Sequence, residues 1–215
     1  PEQFQDSPLG RIPKGWEVRL ADEVALRGSG HTPSKRVASY WHGGIKWVSL
    51  ADSNKLDKTY IFDTDKEISE LGIANSSAVK HPAGTVIVSR DAGVGKSAIL
   101  GAEMAVSQHF IAWQCSPQIN ELFFYYWLQH TKPLFESIAF GSTIKTIGLP
   151  FFKRLRIPVP LRREQDCVSV KIRGVELSLL AETAEAEKLR LLKSGLAEDL
   201  LTGRVRTTAL GEISA

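Results

Sequence analysis

Over the first 115 positions the apolar residues come in short runs separated by polar turns. Those runs predict strands at 16–20, 45–50, 85–89, 97–100 and 110–115. A weak helical pattern covers 66–71, and residues 1–15, broken by Pro8, Gly10, Pro13 and Gly15, read as a polar linker or arm. Asn120 can cap a helix through "ELFFYYWLQH", whose almost unbroken apolar character predicts burial. Pro133 then starts a second short helix and Gly141 ends it. Strands and helices mixed in this order define an α+β fold class, with a globular mixed domain over 16–160.

The pattern changes at "RIPVP", where Pro158 and Pro160 force an extended segment and Pro160 can sit just inside the next helix. Beyond it, apolar residues recur in alternating steps of four and three. Val168, Ile172, Val175, Leu179, Leu189, Leu196 and Leu200 lie on that series with Ala186, and only Glu182 and Lys193 interrupt it. Such a heptad seam predicts a long C-terminal coiled-coil helix over 161–203, with a tail at 204–215. At ~1.5 Å per residue the helix reaches ~60 Å, longer than a small domain is wide. A partner helix is therefore expected to cover the seam, and its seven large apolar residues are the candidate dimerisation contacts. Glu182 and Lys193 could set register or pair across an antiparallel partner. Gly174 and Gly195 weaken the helix by ~1 kcal/mol each.

Composition narrows the class. The 215 residues, 43% hydrophobic and 24% charged, suffice for one good-sized domain and an extension. No apolar run approaches the ~18 residues of a membrane span. The N-terminus has no signal-peptide pattern, and Pro1 in place of an initiator Met reads as a processed or excised product. Cys115 and Cys167 have no framework or metal spacing and are expected to be buried thiols in a reducing cytoplasm. Net charge is only +3, but residues 132–163 hold seven cations (Lys132, Lys145, Lys153, Arg154, Arg156, Arg162 and Arg163) against the single acid Glu136. A basic zone beside a domain junction suits a polyanion, and a solvated face is the plain alternative.

The stretch "TVIVSRDAGVGKSAIL" at 85–100 raises a nucleotide-binding alternative, because Gly95, Lys96 and Ser97 follow a strand. A phosphate loop needs a glycine five positions before Gly95, and Arg90 stands there. A hairpin with its turn at 91–95 fits better. Catalytic constellations are missing: the five histidines are scattered, no Gly-x-Ser-x-Gly elbow occurs, and "LPFF" at 149–152 lacks what an amino-methyltransferase loop requires. No metal site and no cofactor are expected. For nucleic-acid contact the candidates lie in loops. "GSTIKTIG" offers Ser142, Thr143 and Lys145, "HTPSKRVASYW" offers Lys35, Arg36 and Trp41, and the hairpin mouth offers Arg90 and Lys96. Core packing is the competing role for Trp41.

At this point the chain resembles the specificity subunit of type I restriction–modification systems. The resemblance is carried by "SPLGRIPKGWEVRLADEVA", "GHTPS" with "YWHGGIKWVSLAD", "PAGTVIVSRDAGVGKSAI", "GSTIKTIGLPFFKRLRIPVPLRREQ" and "LLTGRVR", in that order along nearly the whole length. It implies that the globular part is a target-recognition domain reading half of a bipartite double-stranded DNA site, and that the long helix is the family's spacer. It also implies a non-catalytic chain that recruits methylation and restriction subunits and binds neither S-adenosylmethionine nor ATP itself. Family members carry two recognition domains and two spacer helices, whereas one of each is present here. That departure fits a fragment or a half-length subunit, and a cytoplasmic homodimer through antiparallel C-terminal helices is expected, reading an interrupted palindrome. A coiled-coil adaptor with an incidental basic face stands as a further alternative.

Overall fold

The computed structural model describes residues 3–206. In chain order the elements are β1 (Phe4–Ser7), β2 (Gly10–Pro13), β3 (Glu17–Leu20), α1 (Ala21–Val24), β4 (Ala25–Ser29), β5 (Trp41–Val48), β6 (Tyr60–Ile61) and β7 (Glu67–Ile68). They continue with α2 (Glu70–Ala74), β8 (Lys80–His81), β9 (Val86–Ser89), β10 (Ser97–Leu100), β11 (Met104–Val106), β12 (Phe110–Cys115), α3 (Glu121–Ile138), α4 (Leu149–Lys153), β13 (Arg156–Val159) and α5 (Arg162–Leu201). The chain divides into two compact units, one reaching Ser169 and the other beginning at Val170. The class is α+β, a mixed globular domain followed by a long helix.

Two sheets carry the first unit, one in the order β4-β12-β9-β10-β6 and one in the order β7-β5-β11-β8. The continuous apolar runs of β9, β10 and β12 follow from burial on both faces. Val86, Val88, Ile99, Ile111 and Trp113 pack with Phe124, Leu128 and Phe135 of α3. Their neighbours Ile87, Ala98, Leu100, Phe110 and Ala112 turn the other way and meet Val48, Met104 and Val106 of the second sheet. Side chains alternate across a strand, so one run of residues serves two cores. Trp113 is fully buried, lies 5.4 Å from the Phe124 ring, and donates its indole N–H to Asp22 at 3.1 Å.

Several expectations change. Residues 1–15 are not merely a polar arm: 4–13 form a hairpin whose turn is closed by the Ser7 hydroxyl donating to the Gly10 carbonyl at 2.6 Å. Its strands are mostly exposed, so no apolar alternation announces them. The helical pattern at 66–71 splits into β7 and α2, because the Ser69 hydroxyl caps the helix at the Gly72 N–H. Pro133 does not begin a new helix but lies inside α3. Packing of the fully buried Phe135 against Phe151 and Phe152 outweighs the lost N–H donor to the Gln129 carbonyl. The "LPFF" segment forms α4, with its proline in the first turn. Of the two thiols, Cys167 is exposed rather than buried, while burial and then the Glu121 charge push the Cys115 thiol up to about 12. Residues 207–215 of the expected tail lie outside the described residues.

The first two turns of α5 belong to the globular unit. Gln165 is fully buried and makes three hydrogen bonds there. It accepts from the Asn120 N–H at 2.7 Å and donates to the carbonyls of Gln118 at 3.0 Å and Pro160 at 2.8 Å. Asn120, capping α3 at the Phe123 N–H, also donates to Asp166 at 2.7 Å. Val168, expected on the dimer seam, instead packs against this unit's own core. Replacing Gln165 by Leu strands the partners of its amide without changing its volume much. The expected loss is about 2–4 kcal/mol of unfolding free energy in a urea titration.

Candidate nucleic-acid interface

The registers of the five-stranded sheet bring distant loops to one end. Antiparallel pairing sets Ile111 opposite both Ser29 and Val88, and Phe110 opposite Ser89. The loop after β4, the β9–β10 turn and the β11–β12 turn therefore emerge side by side. Gly30 lets the first of these pass tight against β11, since a Cβ there would sit 1.9 Å from the Val106 carbonyl oxygen. His31 continues that contact, donating its N–H to Val106 at 3.1 Å and accepting the Trp47 indole N–H at 3.0 Å.

Asp91 joins the remaining pieces. Its carboxylate pairs with His109 Nδ1 at 2.8 Å and accepts the Thr146 hydroxyl, and its backbone bridges Thr146. The Arg90 N–H donates to the His109 carbonyl at 2.9 Å, and the Ala92 N–H donates to the Lys145 carbonyl at 3.1 Å. In this way 90–96, 107–109 and 141–147 become one surface. Thr32 reaches it from the first loop through a hydroxyl hydrogen bond to Gln108.

The expected site residues fall into two groups. Lys35, Arg36, Ser142, Thr143 and Lys145 are exposed, and among the described residues the three cations have no acidic partner. Lys35 lines two shallow clefts at this end, one of about 340 Å³ with Trp41, His42 and Lys66, the other of about 310 Å³ with Ser49, Lys66, Ser107, Gln108 and His109. Trp41, Arg90 and Lys96 face inward and hold the loops. Trp41 stands edge-on to Trp47 with centroids 5.2 Å apart and donates to the Ser34 carbonyl at 3.1 Å, next to Lys35. Arg90 donates to the Ile147 carbonyl at 3.1 Å. The Lys96 ammonium donates to the carbonyl and hydroxyl of Ser53, both at 3.0 Å, and Ser97 begins β10 rather than a helix. That geometry is a hairpin, not a phosphate loop.

The seven cations of 132–163 do not gather into one patch. Lys145 joins this surface through its backbone bond to Ala92, and Lys132 packs beneath it against Gly95. Lys132 pairs with Asp57 at 2.6 Å and Arg162 with Asp166 at 3.0 Å. Arg154 and Arg156 line a different cleft of about 690 Å³ with Arg11, Trp16 and Trp127. Sequence reasoning missed Thr32, Lys66, Asp91, Gln108 and His109. A single signal pointed to the last two, a short polar interruption at 107–109 immediately before a strongly apolar strand. Among the described residues no cluster of His, Cys, Asp or Glu could hold a metal ion, and no helix is long and apolar enough to cross a membrane.

A mixed domain that brings loop cations to one sheet end and continues into a long helix matches a known class. The family model described as the type I restriction modification DNA specificity domain matches residues 13–172, and the chain belongs to that family. It is similar to the specificity subunit of type I restriction enzyme MjaIX from Methanocaldococcus jannaschii, with 28% identity over 170 residues covering 78% of this chain and 39% of the relative. The HindI specificity subunit from Haemophilus influenzae is 21% identical over 197 residues, covering 90% and 42%. Among solved structures, the HsdS subunit from Thermoanaerobacter tengcongensis superposes with a TM-score of 0.62 at 17% identity, over 92% of this chain and 47% of that one. The S subunit from M. genitalium gives a TM-score of 0.55 at 19% identity, over 86% and 45%. These likenesses establish the fold, and the chain spans less than half the length of each of these relatives.

Beneath the hairpin turn, Asp57 links α3 to β10. It accepts from Lys132 and Gln129, both at 2.6 Å, and from the Ser97 N–H at 3.0 Å. Burial alone would raise its carboxyl pKa, but hydrogen bonds from Lys132, Gln129 and Ser97 together hold it below the usual range. A lowered folded value means the stabilisation is complete above the unfolded carboxyl value and disappears as pH falls through the folded one. Asp57→Asn is therefore expected to cost about 1–2 kcal/mol at neutral pH. The gap between the two proteins should close below about pH 4 in pH-dependent urea melts.

Proposed function

We propose that this chain is a sequence-specific DNA-recognition module of a type I restriction–modification system, non-catalytic itself, that reads one half of a bipartite double-stranded target. The observation that carries the reading is that exposed Lys35 and Lys145 stand on loops meeting at the β9–β10 and β11–β12 turns, with exposed Arg36 beside Lys35 in sequence, in a chain of the DNA specificity domain family. Hydroxyls of Ser142 and Thr143 and loop N–H groups supply further phosphate donors. Trp41, Arg90 and Lys96 act behind them by fixing loop shape. Docking of methylation and restriction subunits, and a cytoplasmic setting, belong to the same reading, which needs no cofactor on this chain.

We further propose that two copies pair through antiparallel α5 helices. Ile172, Val175, Leu179, Leu189, Leu196 and Leu200 are each at least two-fifths exposed among the described residues, an apolar series suited to a partner helix. Val168 drops out of that seam. A dimer places two reading surfaces on one duplex and favours a two-fold symmetric, interrupted target.

The DNA reading predicts steep salt dependence of duplex affinity. Lys145→Ala and Arg36→Ala should each weaken binding on every sequence and reduce the slope of log affinity against log salt by about one. Fluorescence anisotropy at several salt concentrations measures this, and absence of duplex binding at low salt with methylation subunits present overturns the reading. The pairing predicts a solution mass near twice 23.7 kDa. Leu179→Glu with Leu189→Glu should return it to the single-chain mass in sedimentation equilibrium.

A further inference from the structure

Which side chain on this surface distinguishes one base pair from another is a separate question, and its answer rests on the DNA reading above. We infer that Gln108 is that residue and that it reads an adenine through the major groove. It stands exposed at the tip of the β11–β12 turn, between the fully buried Ser107 and the half-buried His109. The cations around it are suited to phosphate, as compact or forked charges. A primary amide sets an NH2 donor group and a carbonyl acceptor side by side in a single plane, the pair that matches N7 and N6 of adenine.

The surroundings hold that amide ready. The Thr32 hydroxyl donates to Oε1, which keeps a second lone pair for the adenine N6–H. Nε2 lies 3.4 Å from His109 Nε2 and has a second hydrogen for N7. His109 is itself fixed by Asp91 on its ring and by Arg90 on its carbonyl. A glutamine restrained in this way loses little further rotamer freedom on binding, where a free one loses as much as any side chain. The cleft below has a second polar group in need of a partner: the Ser107 hydroxyl is buried, lines the same space as Gln108, and makes no hydrogen bond among the described residues. The turn thus offers a positioned reader.

The test is selection from a random duplex library by the full chain co-expressed with its methylation subunits. Wild type, Gln108→Ala, Gln108→Glu and Lys145→Ala are compared, with thermal melts confirming that each folds. Gln108→Ala is expected to lose the preference at one A·T position and to bind the wild-type consensus about tenfold more weakly or worse. Gln108→Glu, the same size, should shift that one position toward cytosine, whose N4 amine a carboxylate accepts. Lys145→Ala should weaken all sequences alike and leave the consensus intact. If both Gln108 variants return the wild-type consensus while Lys145→Ala weakens binding, the role of Gln108 is overturned and the DNA reading survives. If wild type yields no consensus and no salt-dependent binding, the DNA reading fails and this inference with it.

Discussion

The loops at one end of this domain meet at a single carboxylate, that of Asp91. Asp91 receives a histidine from one turn and a hydroxyl from a loop more than fifty residues away, while its own backbone pairs with that loop. An acid placed among surface cations works against the attraction of a polyanion, so its presence is explained by what it joins. It adds side-chain links to the backbone bonds that Arg90 and Ala92 already make to His109, Lys145 and Ile147, so the three segments are fixed by both. Loops ordered before binding lose less freedom on contact, so the same charges become more effective.

Opposite this surface, along the same strand, lies the attachment of the long helix. β12 begins at Phe110 beside the recognition turns and ends at Cys115, just before the segment that Gln165 and Asn120 fasten. Six strand residues span about 20 Å, and the first four, Phe110 to Trp113, are among the most buried in the molecule. The proposed reading surface and the start of α5 are thus joined through one largely buried strand. Gln165 matters because a helix start held only by apolar packing can slide, whereas three hydrogen bonds to three backbone groups specify one register.

How much of this could be read beforehand follows from how local each cause is. β10 and β12 are legible because both of their faces are buried, which writes an unbroken apolar run into the sequence. The heptad steps of α5 are legible for the same reason, although Val168 shows that periodicity does not say which surface a residue meets. The hairpin at 4–13 leaves no such mark, since its strands are exposed and its turn is closed by one serine. Pro133 misled because a local penalty was outweighed by aromatic packing of Phe135 with residues more than fifteen positions away. At the site, Lys35, Arg36 and Lys145 could be picked out as cations in breaker-rich loops. The Asp91, His109 and Thr146 constellation could not, because strand pairing rather than sequence proximity brings it together.

The division between residues that hold the loops and residues that point outward has an evolutionary consequence. The outward positions, such as those of 142–145 and the tip at Gln108, contribute nothing to either core, so their identities can drift without unfolding the sheet beneath. Gly30, Trp41, Asp91 and Lys96 differ, because a Cβ at Gly30 would meet the Val106 carbonyl and the other three make hydrogen bonds that join separate segments. Grafting new tips onto these unchanged anchors would alter what is read while leaving the scaffold as it is.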